Sequence, residues 1–141
     1  MRLNYIELEY GEHADQVIDL VATFWDDLHL SGAQGMPFEP DRELLSSLFD
    51  TGHLKAIGGF DEHGELGTTY IATISTHLYS KNVVMASECM WGIRRDLRTT
   101  QVIKQLLNEV DEFHIENGAS VCLMCTHSEK MSNIMNRQGY L

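Results

Sequence analysis

The sequence predicts one α/β domain, α+β by some schemes, over residues 1–141, with elements in the order β-α-α-β-β-β-α-β-α. Three observations predict this class. Two segments with helical periodicity follow a short first strand, a meander of strand-like segments begins at His53, and an amphipathic helix separates that meander from an apolar run. A hydrophobic content of 43% over 141 residues is typical of a single domain with one core.

The first third of the chain predicts a strand and two helices. Residues 3–10 alternate in polarity and indicate a strand, whereas apolar residues recur at helical spacing over residues 13–29. Asp41 stands immediately before a second segment with helical periodicity. We therefore expect its side chain to cap a short helix that ends near Gly52.

The middle of the chain predicts three consecutive strands. Residues 54–60 and 67–79 carry β-branched and aromatic residues in alternation around a turn at 61–64. A second turn is predicted at 80–82, where Ser, Lys and Asn follow one another, and the third strand then covers residues 83–93. Connections this short are typical of a β-meander.

The last third predicts a helix, a strand and a helix. Residues 100–116 place their apolar side chains on one face, and Asn117-Gly118 ends that helix. Residues 119–125 form a near-continuous apolar run, which is typical of a central strand covered on both faces. A final helix is expected over residues 129–138.

Residues 93–105, the basic segment, stand out in an acidic protein because four bases face a single acid, a local charge of about +3. Thr99 and Thr100 can cap the helix that follows, and the N-terminus of a helix attracts anions. The bases contact the phosphate of a ligand, which we favour, or they are solvated or paired with Glu109 and Asp111. The bases are Arg94, Arg95, Arg98 and Lys104.

The net charge of −11 comes entirely from the first half of the chain. Residues 1–66 hold 14 acids and three bases, and residues 67–141 hold seven of each. This distribution lacks the basic footprint that general nucleic-acid binding requires. Two interpretations of the acidic half stay open: a surface that keeps the protein soluble, or attraction of a cationic partner or substrate.

Several other classes are excluded by simple counts. No stretch approaches the roughly 20 apolar residues of a membrane span, and none has the pattern of a signal peptide. The three cysteines are odd in number and lack framework spacing, so we expect no disulfides and a cytoplasmic location. The seven histidines lack ligand spacing, so no metal site is predicted.

Two short motifs carry a resemblance to a known family. Ile93, Arg98 and Leu106-Leu107 match the pattern Val-x-Pro-x-x-Arg-Gly-x-Gly-x-Gly/Ala-x-x-Leu-Leu, and Gly139-Tyr140 matches a closing helix that reads Tyr-x-x-x-Gly-Phe. With these motifs and its order of elements, the chain resembles the GNAT superfamily of acetyl-CoA-dependent N-acetyltransferases. The resemblance implies a mixed central sheet flanked by helices.

The same alignment shows where this chain departs from the family. Arg95 replaces the proline, and Thr99, Gln101 and Ile103 replace three glycines that let backbone N–H groups approach the pyrophosphate of CoA. Met135 stands where the family often has a general-acid tyrosine. The resemblance therefore implies a degenerate acetyl-CoA turn. A hypothesis of another class stays open, an inactive GNAT-fold protein that works by binding a protein partner.

The resemblance implies acetyl-CoA as co-substrate and a primary amine of an unknown acceptor as the second substrate. In the family, the strand before the turn pairs with the pantetheine arm, while the turn and the helix N-terminus hold the pyrophosphate. The side chains of the strand residues can equally belong to the core. The matching positions are Trp91, Ile93, Arg98, Thr99, Thr100, Gln101, Val102 and Ile103.

Two residues are candidates for proton transfer in such a reaction. Glu88 is the only acid in residues 83–93 and matches the family's general base, which usually acts through water. His127, at the end of the apolar run, is a candidate proton donor to the thiolate. Alternatively, Glu88 faces solvent and His127 is a surface or capping residue. Residues 87–91 also resemble those of phage-encoded members.

GNAT folds usually continue past the Gly-Phe position with a final pair of strands, whereas this sequence stops at Leu141. Either the sequence is a truncated piece, or the protein lacks those strands. Their absence would expose a strand edge and favour pairing with another chain, so a homodimer is expected. Residues 29–40 are the expected acceptor loop.

Overall fold

The computed structural model describes residues 2–25, 35–124, 129–137 and 139–140. Within these ranges the strands and helices follow the predicted order. They are β1 (Asn4–Glu7), α1 (Tyr10–Phe24), α2 (Arg42–Asp50), β2 (Leu54–Phe60), β3 (Leu66–His77), β4 (Ser80–Ile93), a 3₁₀ turn (Arg95–Leu97), α3 (Thr100–Glu116), β5 (Val121–Leu123) and α4 (Glu129–Arg137).

The strands form one mixed sheet in the order β1-β2-β3-β4-β5. The pairs from β1 to β4 are antiparallel, and β5 pairs parallel to β4. A parallel neighbour requires a crossover, and α3 provides it. The predicted class, a mixed sheet flanked by helices, is confirmed.

Helices cover both faces of this sheet. On one face, α3 and α4 pack their buried side chains, among them Leu106 and Met135, against Tyr70 and Ala72 of β3. On the other face, α1 and α2 pack against β2 and β3, and Ile71 belongs to this second core. The two cores therefore lie on opposite sides of β3, as the alternation of strand side chains requires.

The start of α1 lies three residues before its predicted position. The buried side chain of His13 accepts a hydrogen bond through Nδ1 from the backbone N–H of Glu9 at 2.9 Å, which closes the first turn and ends β1 early. The predicted cap of α2 is confirmed, because Asp41 accepts from the N–H of Leu44 at 3.0 Å. Residues 26–29 of the predicted first helix lie outside the described residues.

The turn between β3 and β4 was predicted two residues too late. His77 pairs with Ser80, so the turn consists of Leu78 and Tyr79, which are 91% and 94% exposed. The N–H of Tyr79 donates to Nδ1 of His77 at 3.1 Å. The turn-like composition of residues 80–82 was misleading, because a two-residue connection closes the hairpin before them.

The prediction of a central strand covered on both faces at residues 119–125 is wrong. β5 comprises only Val121–Leu123 and stands last in the order of the described strands. Val121 is 37% exposed and Leu123 51%. The helices α1 and α2 pack over β2 and β3, so in the described part of the chain they do not cover this end of the sheet.

Candidate functional site

β4 ends close to the N-terminus of α3 in the chain, and its parallel neighbour β5 pairs with the middle of it. The pairs between them run from Met85–Val121 to Ser87–Leu123, which is the last pair within the described ranges. β4 continues beyond that pair to Ile93 and leads through the 3₁₀ turn into α3. The part of β4 that follows Ser87 and the start of α3 therefore border the same region.

A bulge in β4 decides which way Glu88 points. Ile71 pairs with Met90 and Ala72 pairs with Glu88, so Cys89 stands between them with no opposite residue in the register of β3. Cross-strand partners share a face, which puts the half-buried Glu88 on the α3 side of the sheet. Its charge contributes to the raised pKa values of Tyr70 and Cys89, in which desolvation is the largest cause.

The end of β4 is packed on both faces. Ile93 is buried in the core beneath α3, and the partly buried Trp91 packs against the same core. On the opposite face, the ring of Phe24 lies so close to Gly92 that an added Cβ would be 2.4 Å from it. Of the two predicted cofactor-binding residues of this strand, Ile93 therefore belongs to the core, and Trp91 packs against it while staying partly exposed.

Thr99 begins α3 as its N-cap. Its hydroxyl accepts a hydrogen bond from the N–H of Val102 at 3.3 Å, and its carbonyl accepts from the N–H of Ile103 at 3.0 Å. The N–H groups of Thr100 and Gln101, which open the helix, have no acceptor within it. Both residues are exposed, so these two N–H groups and the helix dipole can meet an anion.

The three missing glycines do not strain this turn. Among the described residues, positive φ angles occur only at glycines, and Thr99 has an extended backbone with φ −117° and ψ 158°. Ile103 is buried in the core beneath α3, as is Val102. Of the three replacements, the exposed side chains of Thr99 and Gln101 are the ones at the surface of the turn.

The structure divides the basic segment into two parts. The guanidinium of Arg94 lies 2.9 Å from Asp61 and 2.7 Å from Asp96, and these partners raise its pKa. Its partner Asp61 is a residue that we missed, because our charge count was confined to residues near in sequence. Arg95 and Arg98 are exposed, and Nε of Arg98 donates to the carbonyl of Ile93 at 2.9 Å.

The α3 side of the sheet also holds one buried and one partly buried polar contact. A hydrogen bond of 2.7 Å joins the Tyr70 hydroxyl to Nε2 of His114, and the Tyr140 hydroxyl donates to Asp111 at 3.0 Å. Burial lowers the pKa of His114 and raises that of Tyr70. The helical spacing of the sequence put His114 on the apolar face of its helix, which indicates burial. It did not identify Tyr70 as the hydrogen-bond partner of this histidine.

Met135 is buried in the core beneath α3. His127, the predicted proton donor, lies outside the described residues. Among the described residues, no group of three or more His, Cys, Asp and Glu side chains could hold a metal ion. No helix in the same ranges is long and apolar enough to cross a membrane.

Of the comparisons with known proteins, the one with solved structures identifies the fold. No protein-family model matches the sequence, and a search of curated proteins gives no significant match. Among solved structures, an aminoglycoside acetyltransferase from an uncultured soil metagenomic sample, in complex with trehalose, matches with a TM-score of 0.73 at 14% identity, over 96% of this chain and 86% of that one.

Two further acetyltransferases match as well. A ribosomal-protein-alanine N-acetyltransferase from Brucella melitensis biovar Abortus 2308 has a TM-score of 0.68 at 16% identity, over 99% of this chain and 93% of that one. A predicted acetyltransferase with acetyl-CoA from Clostridium acetobutylicum has a TM-score of 0.71 at 10% identity, over 99% and 90%. The mixed sheet and helices of this chain therefore form the GNAT acetyltransferase fold.

Proposed function

We propose that this protein is an acetyl-CoA-dependent N-acetyltransferase that transfers an acetyl group to a primary amine. One observation carries the proposal: in a fold shared with acetyltransferases, the edge of β4 beyond Ser87 leads to an α3 N-terminus that opens on exposed N–H groups. A linear thioester with a phosphate-bearing end matches this arrangement, because a strand edge pairs with an extended amide chain and a helix N-terminus with phosphate.

The reaction needs two proton transfers. The amine nitrogen attacks the thioester carbonyl carbon, a C–N bond forms, and the C–S bond breaks as the tetrahedral intermediate collapses. The amine loses one proton and the leaving thiolate takes one, so no net proton is consumed. We assign removal of the amine proton to Glu88, acting through water, and keep His127 as the proposed proton donor to the thiolate.

The phosphate contacts fall on the start of α3. We assign them to the backbone N–H groups of Thr100 and Gln101 and to the guanidinium of Arg98, an exposed residue that directly precedes the N-cap of the helix. The side chains of Val102 and Ile103 are buried and their N–H groups bond to Thr99, so these two residues shape the turn without touching the ligand.

Binding of acetyl-CoA tests the proposal directly. Isothermal titration calorimetry of the full chain should detect acetyl-CoA binding, and Arg98→Ala should raise the dissociation constant about tenfold, because a charge-assisted hydrogen bond is lost. Arg2→Ala, a change of another exposed arginine, is the matched control and should bind as the unaltered chain does.

Two outcomes would contradict the proposal at different levels. An absence of heat at about 1 mM acetyl-CoA, a concentration that still detects very weak complexes, would exclude the cofactor. Binding without acetyl transfer to any member of a panel of aminoglycosides and peptide N-termini would instead favour a protein that works by binding alone. Unchanged affinity in Arg98→Ala would remove only the role of that arginine.

A further inference from the structure

The β2–β3 turn (residues 61–65) is joined to the lead-in turn (residues 94–99), the segment that precedes α3, by a shielded ion pair. Arg94 donates to Oδ2 of Asp61 at 2.9 Å, and the Asp61 side chain is only 5% exposed while that of Arg94 is 26% exposed. Asp96 accepts from the same guanidinium at 2.7 Å, and Glu65 lies 3.8 Å away. Shielding from solvent makes this pair stronger than an ordinary surface ion pair.

Asp61 is itself held firmly by its own turn. Its Oδ1 accepts hydrogen bonds from the N–H groups of His63 at 2.8 Å and Glu65 at 3.0 Å. Its own N–H donates to the carbonyl of Glu65 at 2.9 Å. The hydrogen bond from the Glu65 backbone and the contact with Arg94 lower its pKa, so the carboxylate stays charged at neutral pH. Oδ2 is thus a fixed point to which Arg94 is attached.

The lead-in turn also contacts the start of β3 through an apolar contact. Leu97 is buried, and a Cβ added to Gly67 would lie 2.4 Å from its Cδ1. The backbone N–H of Arg94 donates to the carbonyl of Gly67 at 2.8 Å, and its guanidinium lies 3.5 Å from the carbonyl of Leu66. An ion pair and a packed side chain therefore both hold the lead-in turn against the β2–β3 hairpin.

We propose that Asp61 and Arg94 are positioning residues for the phosphate site. The pair holds the lead-in turn so that the N–H groups of Thr100 and Gln101 and the guanidinium of Arg98 converge on one anion. This inference rests on the proposed function. Arg94 is then no phosphate ligand, because its charge is already matched by carboxylates. This differs from the sequence analysis, in which Arg94 was one of the four bases expected to contact phosphate.

The substitution Asp61→Asn tests this role, because positioning and direct phosphate binding by Arg94 predict opposite changes in the affinity for acetyl-CoA. Asparagine keeps an oxygen for the N–H groups of the turn but loses the charge that holds Arg94. Positioning predicts that the dissociation constant for acetyl-CoA rises about tenfold, as expected when a binding group is displaced by a fraction of an ångström. If Arg94 were a phosphate ligand, the change would instead tighten binding, since it removes a negative charge and leaves Asp96 as the close carboxylate partner of the arginine.

A shorter ligand and a matched control separate positioning from general loosening. S-acetylpantetheine lacks the pyrophosphate, so its affinity should be unchanged in Asp61→Asn. Glu62→Gln removes a carboxylate from the same turn, but one that is 78% exposed and lies beside His63, so it should not weaken acetyl-CoA binding. Equal or tighter binding of acetyl-CoA by Asp61→Asn, or parallel weakening of both ligands, would overturn the proposal.

Hydrogen exchange gives a readout that requires no ligand. In the free protein, the amides of residues 94–101 should exchange faster in Asp61→Asn than in the unaltered chain, whereas those in the second half of α3 should not change. Unchanged exchange over residues 94–101 would overturn the positioning role. If the unaltered chain binds no acetyl-CoA, the proposed function fails, and this exchange measurement still decides whether the ion pair holds the turn.

Discussion

The face of the sheet on which the Glu88 carboxylate lies depends on one residue, Cys89, which the register between β3 and β4 skips. In an uninterrupted strand, Trp91 and Glu88 would lie on opposite faces, because they are three residues apart. The bulge at Cys89 removes one step of the alternation and brings both to the face of Tyr70 and Ala72. The sequence shows that Glu88 is the only acid of its strand. It could not predict on which face of the sheet Glu88 lies, since a bulge leaves no periodic signal.

The substitution Glu88→Gln tests the proposed base. Glutamine has nearly the same shape but cannot take a proton, so turnover with an amine acceptor should fall about 100-fold while the affinity for acetyl-CoA stays the same. Single-turnover kinetics and calorimetry would measure the two quantities. Glu112→Gln, an exposed acid on α3, is the control and should leave both unchanged. Unchanged turnover in Glu88→Gln would remove this residue from the mechanism.

At the scale of one element, the start of α3 has a threonine side-chain cap where the family pattern has flexible glycines. The family pattern has glycines at the positions of Thr99, Gln101 and Ile103. Here Thr99 caps the helix, while Ile103 is buried beneath it. Both ends of this helix were predicted correctly, because the cap, the apolar period and the Asn-Gly stop all lie within one stretch of sequence.

Neighbouring threonines allow a matched test of this cap. Thr99→Ala removes the acceptor for the N–H of Val102 and should lower the free energy of unfolding by about 1 kcal/mol. Thr100→Ala, one residue further on, removes an exposed hydroxyl that caps nothing in our assignment and should change stability by less than about 0.5 kcal/mol. Urea denaturation measures both. Equal effects of the two substitutions would contradict the assignment of Thr99 as the cap.

Across the whole molecule, the sequence predicted what local patterns determine and missed what distant elements determine. The class, the order of elements and the limits of β2 follow from periodicity and turn residues. The exposure of β5 does not, because it depends on how far helices from another part of the chain extend over the sheet. The partner of Arg94 is Asp61, 33 residues away, and no local charge count could find it.

Buried histidine makes the stability of the whole fold depend on pH. Burial lowers the pKa of His114 below its usual 6.5, although the charge of Asp111 opposes this effect. Below pH 6.5 the unfolded chain therefore binds a proton that the native state excludes, and stability falls as the pH falls. The slope from this one group is at most about 1.4 kcal/mol per pH unit, and it ends below the native pKa.

The pH dependence can be assigned with two variants. Chemical denaturation between pH 7 and pH 5 should show a shallower loss of stability in His114→Gln, because glutamine does not titrate. His63→Gln changes an exposed histidine and should keep the slope of the unaltered chain. An identical slope in all three proteins would show that His114 is not the responsible group.

The exposed tip at Leu78 and Tyr79 is a position where the backbone can be interrupted with little effect on folding. Exposed loop tips are the usual sites of protease cleavage, insertion and circular permutation. A cut there would leave an N-terminal piece with most of the acidic residues and a C-terminal piece with the basic segment and α3. The two pieces would still share the whole register between β3 and β4, so this tip is the natural position for dividing the protein into two fragments that reassemble.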